Sequence, residues 1–243
     1  MDHLTVTILA GGEGKRMRSN LPKVLHLLKG RPMLVRVIET ARRLNPHKMI
    51  VVTGKFDELI QRTLSKYTKI SDITFVKQAE PLGTGDALKA CLPEYIDDGP
   101  VLILNGDMPL INESILNRLI GSEHDAAILT AKFENPQGYG RIICDKYGEL
   151  LKIVEEKDCD DAERMVNIIN TGVYLIHSHL LKEFIPKIDN ENGQGEYYLT
   201  DIVKLLKNRL INVNAILLDE NENIYVSGVN TPEELEALEP YAS

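Results

Sequence analysis

The stretch that decides the fold is Leu9-Ala10-Gly11-Gly12-Glu13-Gly14-Lys15-Arg16-Met17-Arg18-Ser19-Asn20-Leu21-Pro22-Lys23-Val24-Leu25-His26. The apolar run Val6 to Leu9 leads into it and reads as a strand. Glycines after a strand let the backbone approach a ligand and turn its N–H groups inward. Between Gly14 and Ile38 stand seven cations (Lys15, Arg16, Arg18, Lys23, Lys29, Arg31 and Arg36) and no Asp or Glu, although the protein as a whole carries a formal charge of -8. A basic block on an acidic protein implies focusing of a small anion at one place rather than adhesion to nucleic acid. The Walker pattern fails because Arg16 follows Gly14-Lys15, and the dinucleotide pattern fails at Met17. Pro22 restricts the backbone just before Lys23 and so helps to hold that ammonium in one place.

Outward from the loop, strand and helix patterns alternate. Leu4 to Leu9, Met49 to Thr53, Ile73 to Lys77 and Val101 to Leu104 read as strands. Pro32 to Leu44, Phe56 to Tyr67 and Thr84 to Leu92 read as helices, with Pro32 in a first turn. This alternation predicts an α/β fold with a mostly parallel central sheet flanked by helices, and ligands beyond the carboxyl ends of the strands. After about residue 125 the pattern changes. Ala126 to Phe133, Arg141 to Cys144, Leu150 to Val154, Thr171 to Ile176 and Val213 to Leu218 read as strands of a smaller mixed-sheet region. Ser178 to Ile185, Leu199 to Leu206 and a short segment from Thr231 read as helices.

At 243 residues and 43% hydrophobic composition the chain has material for a real core. Three cysteines without metal-type spacing, no signal-peptide layout and no apolar run of membrane length lead us to expect a cytoplasmic protein with no membrane association. The acidic balance argues against nucleic acid as a partner. The six histidines (His3, His26, His47, His124, His177 and His179) are scattered, so no zinc site is expected, and no G-x-S-x-G element appears.

Two further motifs end strands of the first half. Gln78-Ala79-Glu80-Pro81-Leu82-Gly83-Thr84-Gly85 offers an amide for a pyrimidine edge, a glycine for close approach, and a threonine that caps a helix or bonds the base. Asn105-Gly106-Asp107 puts a carboxylate after the most buried strand, where it either holds a divalent cation or caps the next helix.

These motifs resemble the nucleotidyltransferases that make nucleotide sugars from a sugar 1-phosphate and a nucleoside triphosphate. The likeness is closest to the uridylyltransferase half of the bifunctional bacterial N-acetylglucosamine-1-phosphate enzymes. There the loop reads LAAGKGTRM followed by LPKVLH, from which Gly11, Glu13 and Lys15 depart, and Asn105 replaces the Tyr of a YGD tripeptide. Gly-Tyr-Gly-Arg-Ile from Gly138, Ile-Val-Glu from Ile153, Ile-Asn-Thr-Gly from Ile169, Gln-Gly-Glu-Tyr-Tyr-Leu-Thr-Asp from Gln194 and Gly-Val-Asn from Gly228 follow in register. The resemblance runs from Val6 to about Asn230. It implies a Rossmann-like nucleotide-diphospho-sugar transferase fold in a single domain over 1–243. The nucleotide-binding half is about 1–110 and the sugar-binding half about 111–230. The hexapeptide repeats of a left-handed β-helix are absent. Met1 and the lack of a long helical linker at the end lead us to expect a complete chain.

The resemblance implies that Arg16 and Lys23 are catalytic and that Asp107 and Asn230 hold Mg²⁺. Leu9, Ala10, Gly11, Gly12, Gln78, Gly83, Thr84, Asn105 and Gly106 would bind the nucleotide. Gly140, Glu155, Asn170, Glu196, Tyr198 and Thr200 would bind the sugar phosphate. The implied reaction converts UTP and N-acetylglucosamine 1-phosphate into UDP-N-acetylglucosamine and pyrophosphate. The oligomeric state stays open, a homo-oligomer included. Two alternatives remain: a uridylyl- or thymidylyltransferase for another sugar, such as glucose 1-phosphate, and a non-catalytic nucleotide-sugar-binding regulatory subunit. The second would be expected to lose Arg16, Lys23 or Asp107.

Overall fold

Strand β1, Thr5–Leu9, carries the glycine loop into the middle of a sheet. Val6 and Ile8 face one side and are fully buried, while Thr7 faces the other and shares a hydrogen bond of 3.0 Å with the Tyr95 phenol. The computed structural model describes residues 3–242; Met1, Asp2, Ser243 and the side chain of Lys15 lie outside the described residues, and with Met1 the expectation that rested on it.

The hairpin strands β2 (Leu27–Leu28) and β3 (Arg31–Pro32) follow the loop and feed helix α1, Met33–Arg43. Pro32 is therefore the N-cap of α1 rather than part of its first turn. The first half continues with β4 (Lys48–Thr53), α2 (Asp57–Leu64), β5 (Ile73–Lys77), α3 (Thr84–Cys91), β6 (Pro100–Asn105) and α4 (Glu113–Ile120). The second half holds β7 (Ala126–Lys132), β8 (Arg141–Cys144), β9 (Leu150–Val154), α5 (Asp161–Arg164), β10 (Ile168–His177), α6 (Ser178–Phe184), α7 (Asp201–Lys207), β11 (Asn214–Leu217) and α8 (Pro232–Leu238). The expected elements are all present, with ends shifted by a few residues. Leu199 and Thr200 stay outside α7.

The sheet order is β11-β7-β10-β6-β1-β4-β5, with the β8–β9 hairpin branching from β10. Strands β6, β1, β4 and β5 run parallel, and β10 is antiparallel to both β6 and β7. The mixed region thus continues the central sheet edge to edge instead of forming a layer of its own. Alternate residues of each central strand enter opposite cores. Leu102 and Leu104 of β6 pack with Leu34, Ile38 and Leu119 on the face covered by α1 and α4. Val101 and Ile103 pack with Leu88, Leu181 and Ile202 on the face covered by α3, α6 and α7. Burial on both faces is why these strands read as unbroken apolar runs.

After β1 the chain moves outward to β4 and β5, then returns to place β6 on the other side of β1. The carboxyl ends of β1 and β6 therefore part at a topological switch point, where a crevice opens. Leu9 and Asn105 are the last paired residues there, and the Gly106 N–H donates to the Leu9 carbonyl at 2.9 Å.

At the opposite end of the strands lies a correction. Four of the histidines read as scattered, His3, His47, His177 and His179, converge beside Asp97 and Asp98. The topology brings together the starts of β1, β4 and β6 and the end of the antiparallel β10, which are far apart in the chain. Among the described residues, no helix is long and apolar enough to cross a membrane.

Candidate active site

The glycine loop and the Lys23 turn are pressed together. Gly14 has φ +63, and a Cβ there would lie 2.5 Å from the Lys23 Cβ, so no other residue fits without displacing the lysine. Pro22 precedes a single 3₁₀ turn, Lys23–Leu25, whose Val24 and Leu25 are buried. Lys23 is thereby aimed across the crevice. Its ammonium pairs with the Asp107 carboxylate and donates to Asn230 Oδ1 at 3.0 Å. The Val229 N–H donates to the Asp107 carbonyl at 3.0 Å, which ties the end of the chain to the end of β6. The structure therefore brings residues 107 and 230 together.

The basic block divides on folding. Arg16 and Lys23 line the crevice, whereas Arg31 pairs with Glu39 at 2.5 Å and Arg36 donates to the Leu28 carbonyl at 3.1 Å. Glu13, a departure from the related loop, pairs with Lys55 at 2.5 Å and links the loop to the segment after β4.

Two cavities adjoin here. One of about 500 Å³ is lined by Leu9, Ala10, Gly11, Gly12, Arg16, Lys23, Gln78, Gly83, Thr84, Asn105, Asp107, Glu196 and Asn230. The other, of about 200 Å³, is lined by Gly140, Glu155, Asn170 and Thr200 together with Tyr139, Gly172 and Gly228. Leu9, Thr84, Asn105, Asp107 and Asn230 belong to both.

In the larger cavity Gln78 is buried and its amide nitrogen is committed, donating to the Gly83 carbonyl at 3.0 Å and to Asp86 at 2.8 Å. Its carbonyl oxygen lies beside Gly11 in the cavity lining. Gly83 adopts φ +111 and would strike the Tyr197 carbonyl if it carried a Cβ. Thr84 is not the cap of α3, a place taken by Gly83. Its hydroxyl accepts from the Leu199 N–H at 3.0 Å.

In the smaller cavity the Thr200 hydroxyl donates to Glu155 at 3.0 Å. Burial pushes the Glu155 carboxyl above its ordinary value, and the Thr200 bond opposes that rise. Asn170 donates to the Tyr174 phenol at 2.7 Å and accepts from the Gly172 N–H at 3.0 Å, at a register shift in β10. Arg141 is 2% exposed and pairs with Glu156 at 2.7 Å, fixing the turn that presents Gly140.

Three placements differ from the sequence expectation. Tyr198 does not face the smaller cavity. It lines a separate one of about 580 Å³ with Asp158 and Asp201, and burial pushes its phenol up to about 12. In Tyr197-Tyr198-Leu199 the residue that reaches the smaller cavity is Leu199. Glu196, expected on the sugar side, lines the larger cavity because its segment packs against Gly83. Gly106 lines neither and instead carries the bond to Leu9. Sequence reasoning passed over Tyr139, which packs edge-on against Phe133 and lines the smaller cavity. Its signal was a large aromatic between two glycines. It also passed over Gly172, where a Cβ would collide with the Asn105 side chain.

A glycine loop and a lysine beside a carboxylate lie at a switch point where two cavities adjoin, an arrangement that fits a nucleotidyltransferase. The chain belongs to the MobA-like NTP transferase domain family, whose model matches residues 6–193. It is 44% identical over 242 residues to the probable UDP-N-acetylglucosamine pyrophosphorylase of Acanthamoeba polyphaga mimivirus, covering 97% of this chain and 95% of that one. It is 43% identical over 239 residues to the bifunctional protein GlmU of Francisella tularensis subsp. novicida, covering 97% of this chain and 51% of that protein, so it spans about half of GlmU. Among solved structures, a putative glucose-1-phosphate thymidylyltransferase from Bacillus anthracis superposes with a TM-score of 0.74 at 18% identity, covering 98% and 95% of the two chains. HddC from Yersinia pseudotuberculosis superposes at 0.69 and 21% identity, covering 98% of each. These two likenesses establish the fold.

Proposed function

We propose that this chain condenses UTP with N-acetylglucosamine 1-phosphate to UDP-N-acetylglucosamine and pyrophosphate. The observation that carries the reading is the shared wall of the two cavities, with Lys23, Asp107 and Asn230 in contact beside it. A nucleotide in the larger cavity and a sugar phosphate in the smaller would meet at that wall. The mimiviral relative is named for this reaction and aligns along nearly its whole length. In this reading the chain is one domain, with a nucleotide half of about 1–110 and a sugar half of about 111–230. Its free thiols suit the cytoplasm.

A phosphate oxygen of the sugar phosphate attacks the α-phosphorus of UTP, forming one P–O bond as the bond to pyrophosphate breaks. The monoester is already ionised at neutral pH, so no general base is required. The obstacle is repulsion: two unit charges at ~4 Å interact by roughly 4 kcal/mol at an effective dielectric of 20. Lys23 offsets that charge at the meeting point, and Arg16 holds the departing pyrophosphate. Because the Gln78 amide nitrogen is committed within the protein, its carbonyl oxygen is left to accept from a base. That selects the imide N–H of uracil or thymine over the bare ring nitrogen of cytosine. Glu155, Thr200 and Asn170 orient the sugar hydroxyls and amide. Asp107 and Asn230 offer only oxygen donors, and both already face a cation, the Lys23 ammonium; this pair fits Mg²⁺. When bound, Mg²⁺ would withdraw negative charge from the phosphates.

The test is Mg²⁺-dependent pyrophosphate release from UTP and from dTTP, with N-acetylglucosamine 1-phosphate compared against glucosamine 1-phosphate and glucose 1-phosphate. Fast release with UTP and the acetylated sugar supports the reading. Release with a different pair keeps the chemistry and overturns the specificity. UDP-sugar binding without any release favours a regulatory subunit.

A further inference from the structure

The convergence of histidines at the amino ends of the parallel strands, where the antiparallel β10 ends, has no part in the reaction above. His3 precedes β1, His47 precedes β4, and Asp97 precedes β6. His3 Nδ1 and His47 Nε2 lie 3.8 and 3.5 Å from the same Asp97 oxygen, and the three atoms fall within 4.8 Å of one another. Beside them Asp98, His177 and His179 form a second group within the same limit, with His179 Nδ1 3.4 Å from Asp98 Oδ1. Two imidazoles and a carboxylate thus occur twice, on consecutive aspartates.

We propose that this face binds divalent transition-metal ions of the Zn²⁺ class, one at His3, His47 and Asp97 and one at Asp98, His177 and His179. A tetrahedral centre with bonds of about 2.0–2.1 Å sets its ligand atoms about 3.4 Å apart. The carboxylate–imidazole separations of 3.8, 3.5 and 3.4 Å come close to that before any side chain moves. The donor set, two nitrogens and an oxygen, suits Zn²⁺ and not Mg²⁺. Half-exposed side chains leave the remaining coordination positions to water.

The His3 and His47 rings each turn a nitrogen to the same Asp97 oxygen, with ring centroids 5.5 Å apart. A metal ion uses both rings in their neutral form. The backbone holds the ligands in place. The His47 N–H donates to the Leu4 carbonyl and the His177 N–H to the Asp125 carbonyl, each at 2.8 Å. A Cβ on Gly99 would lie 2.8 Å from the His3 carbonyl, so His3 is seated on the Asp97–Gly99 turn. Buried Ser178 donates to the Asp97 carbonyl at 3.0 Å and lies 3.2 Å from Asp98 Oδ1, which orients that carboxylate as second-layer partners do in metal sites. The cluster lies roughly 20 Å from Asp107, the rise of a six-residue strand at ~3.3 Å per residue, so the two ends of the sheet would load independently.

The experiment is equilibrium dialysis of the full chain against Zn²⁺ with millimolar Mg²⁺ present throughout. The expected result is two bound equivalents, falling to one in His47→Gln, to one in His177→Gln and to none in the double variant. Cys144→Ser should retain both, which separates the exposed thiol from the proposed ligands. The visible spectrum of added Co²⁺ should show tetrahedral bands that each variant halves. Fewer than two equivalents in the unaltered chain, a stoichiometry indifferent to either histidine, or loss in Cys144→Ser would overturn the proposal. An unchanged melting temperature of the variants without metal shows that the fold is intact.

Discussion

Lys23 is held by two oxygen contacts and by a glycine that leaves it room. In the proposed reaction its ammonium sits where the two anions meet, so Lys23→Ala should lower kcat by on the order of 10² or more. Steady-state rates of pyrophosphate release check this, and near-normal turnover would remove the residue from the reaction. Glu155 makes a prediction about stability. Its folded pKa is raised by burial, so the folded state holds a proton that the unfolded chain gives up. Stability therefore falls as pH rises from the ordinary carboxylate range through the raised folded value. Glu155→Gln should remove that fall, so that melting temperatures of variant and parent diverge, in the variant's favour, as pH rises above the ordinary carboxylate range. A constant difference over that rise would contradict the sign. Glu155 also marks a limit of sequence reading: alone it is an ordinary carboxylate after a strand, and only the hydrogen bond from Thr200 shows that it faces inward, half-buried.

Two segments of the active site are zipped together by their backbones. The Gly85 N–H donates to the Tyr197 carbonyl at 2.7 Å, the Tyr197 N–H to the Leu82 carbonyl at 2.8 Å, and the Leu199 N–H to the Thr84 hydroxyl at 3.0 Å. The loop 82–85 and the segment 197–199 thus behave as one element. Thr84→Val would leave the Leu199 N–H unpaired at a cost of about 1–3 kcal/mol. KM should rise for UTP and for the sugar phosphate together; a rise confined to UTP would show that the two move separately. The sheet strands were legible because burial on both faces writes apolar runs into the chain. Helix α4 was not, since its start rests on Asn112 accepting from the Ile115 N–H, a cap that many turns would also offer. The side of Tyr198 was unreadable because the twist of an irregular segment, not a period, decides it.

For the molecule as a whole, one sheet couples both halves through β6 and β10, so the core is common property. Leu104→Ala, at a site 1% exposed in the central strand that delivers Asp107, should cost about 2–5 kcal/mol. Denaturant titration should show this as a single shifted transition; two transitions would mean that the halves unfold separately. The alternation of the first half made the parallel sheet and the position of the crevice readable. The pairing of residue 107 with residue 230 came from resemblance alone, since no local pattern encodes a contact across that separation. The same holds for the four histidines at the other end of the sheet.

The contact between Lys23 and Asn230 spans 207 positions of the chain. Closing so large a loop is among the slower events in forming a native state. During synthesis or refolding the sheet can assemble while Asp107 still lacks its distant partner. Competence should therefore lag behind secondary structure, and a growing chain would remain inert until the strand order is complete and the segment around Val229 has docked.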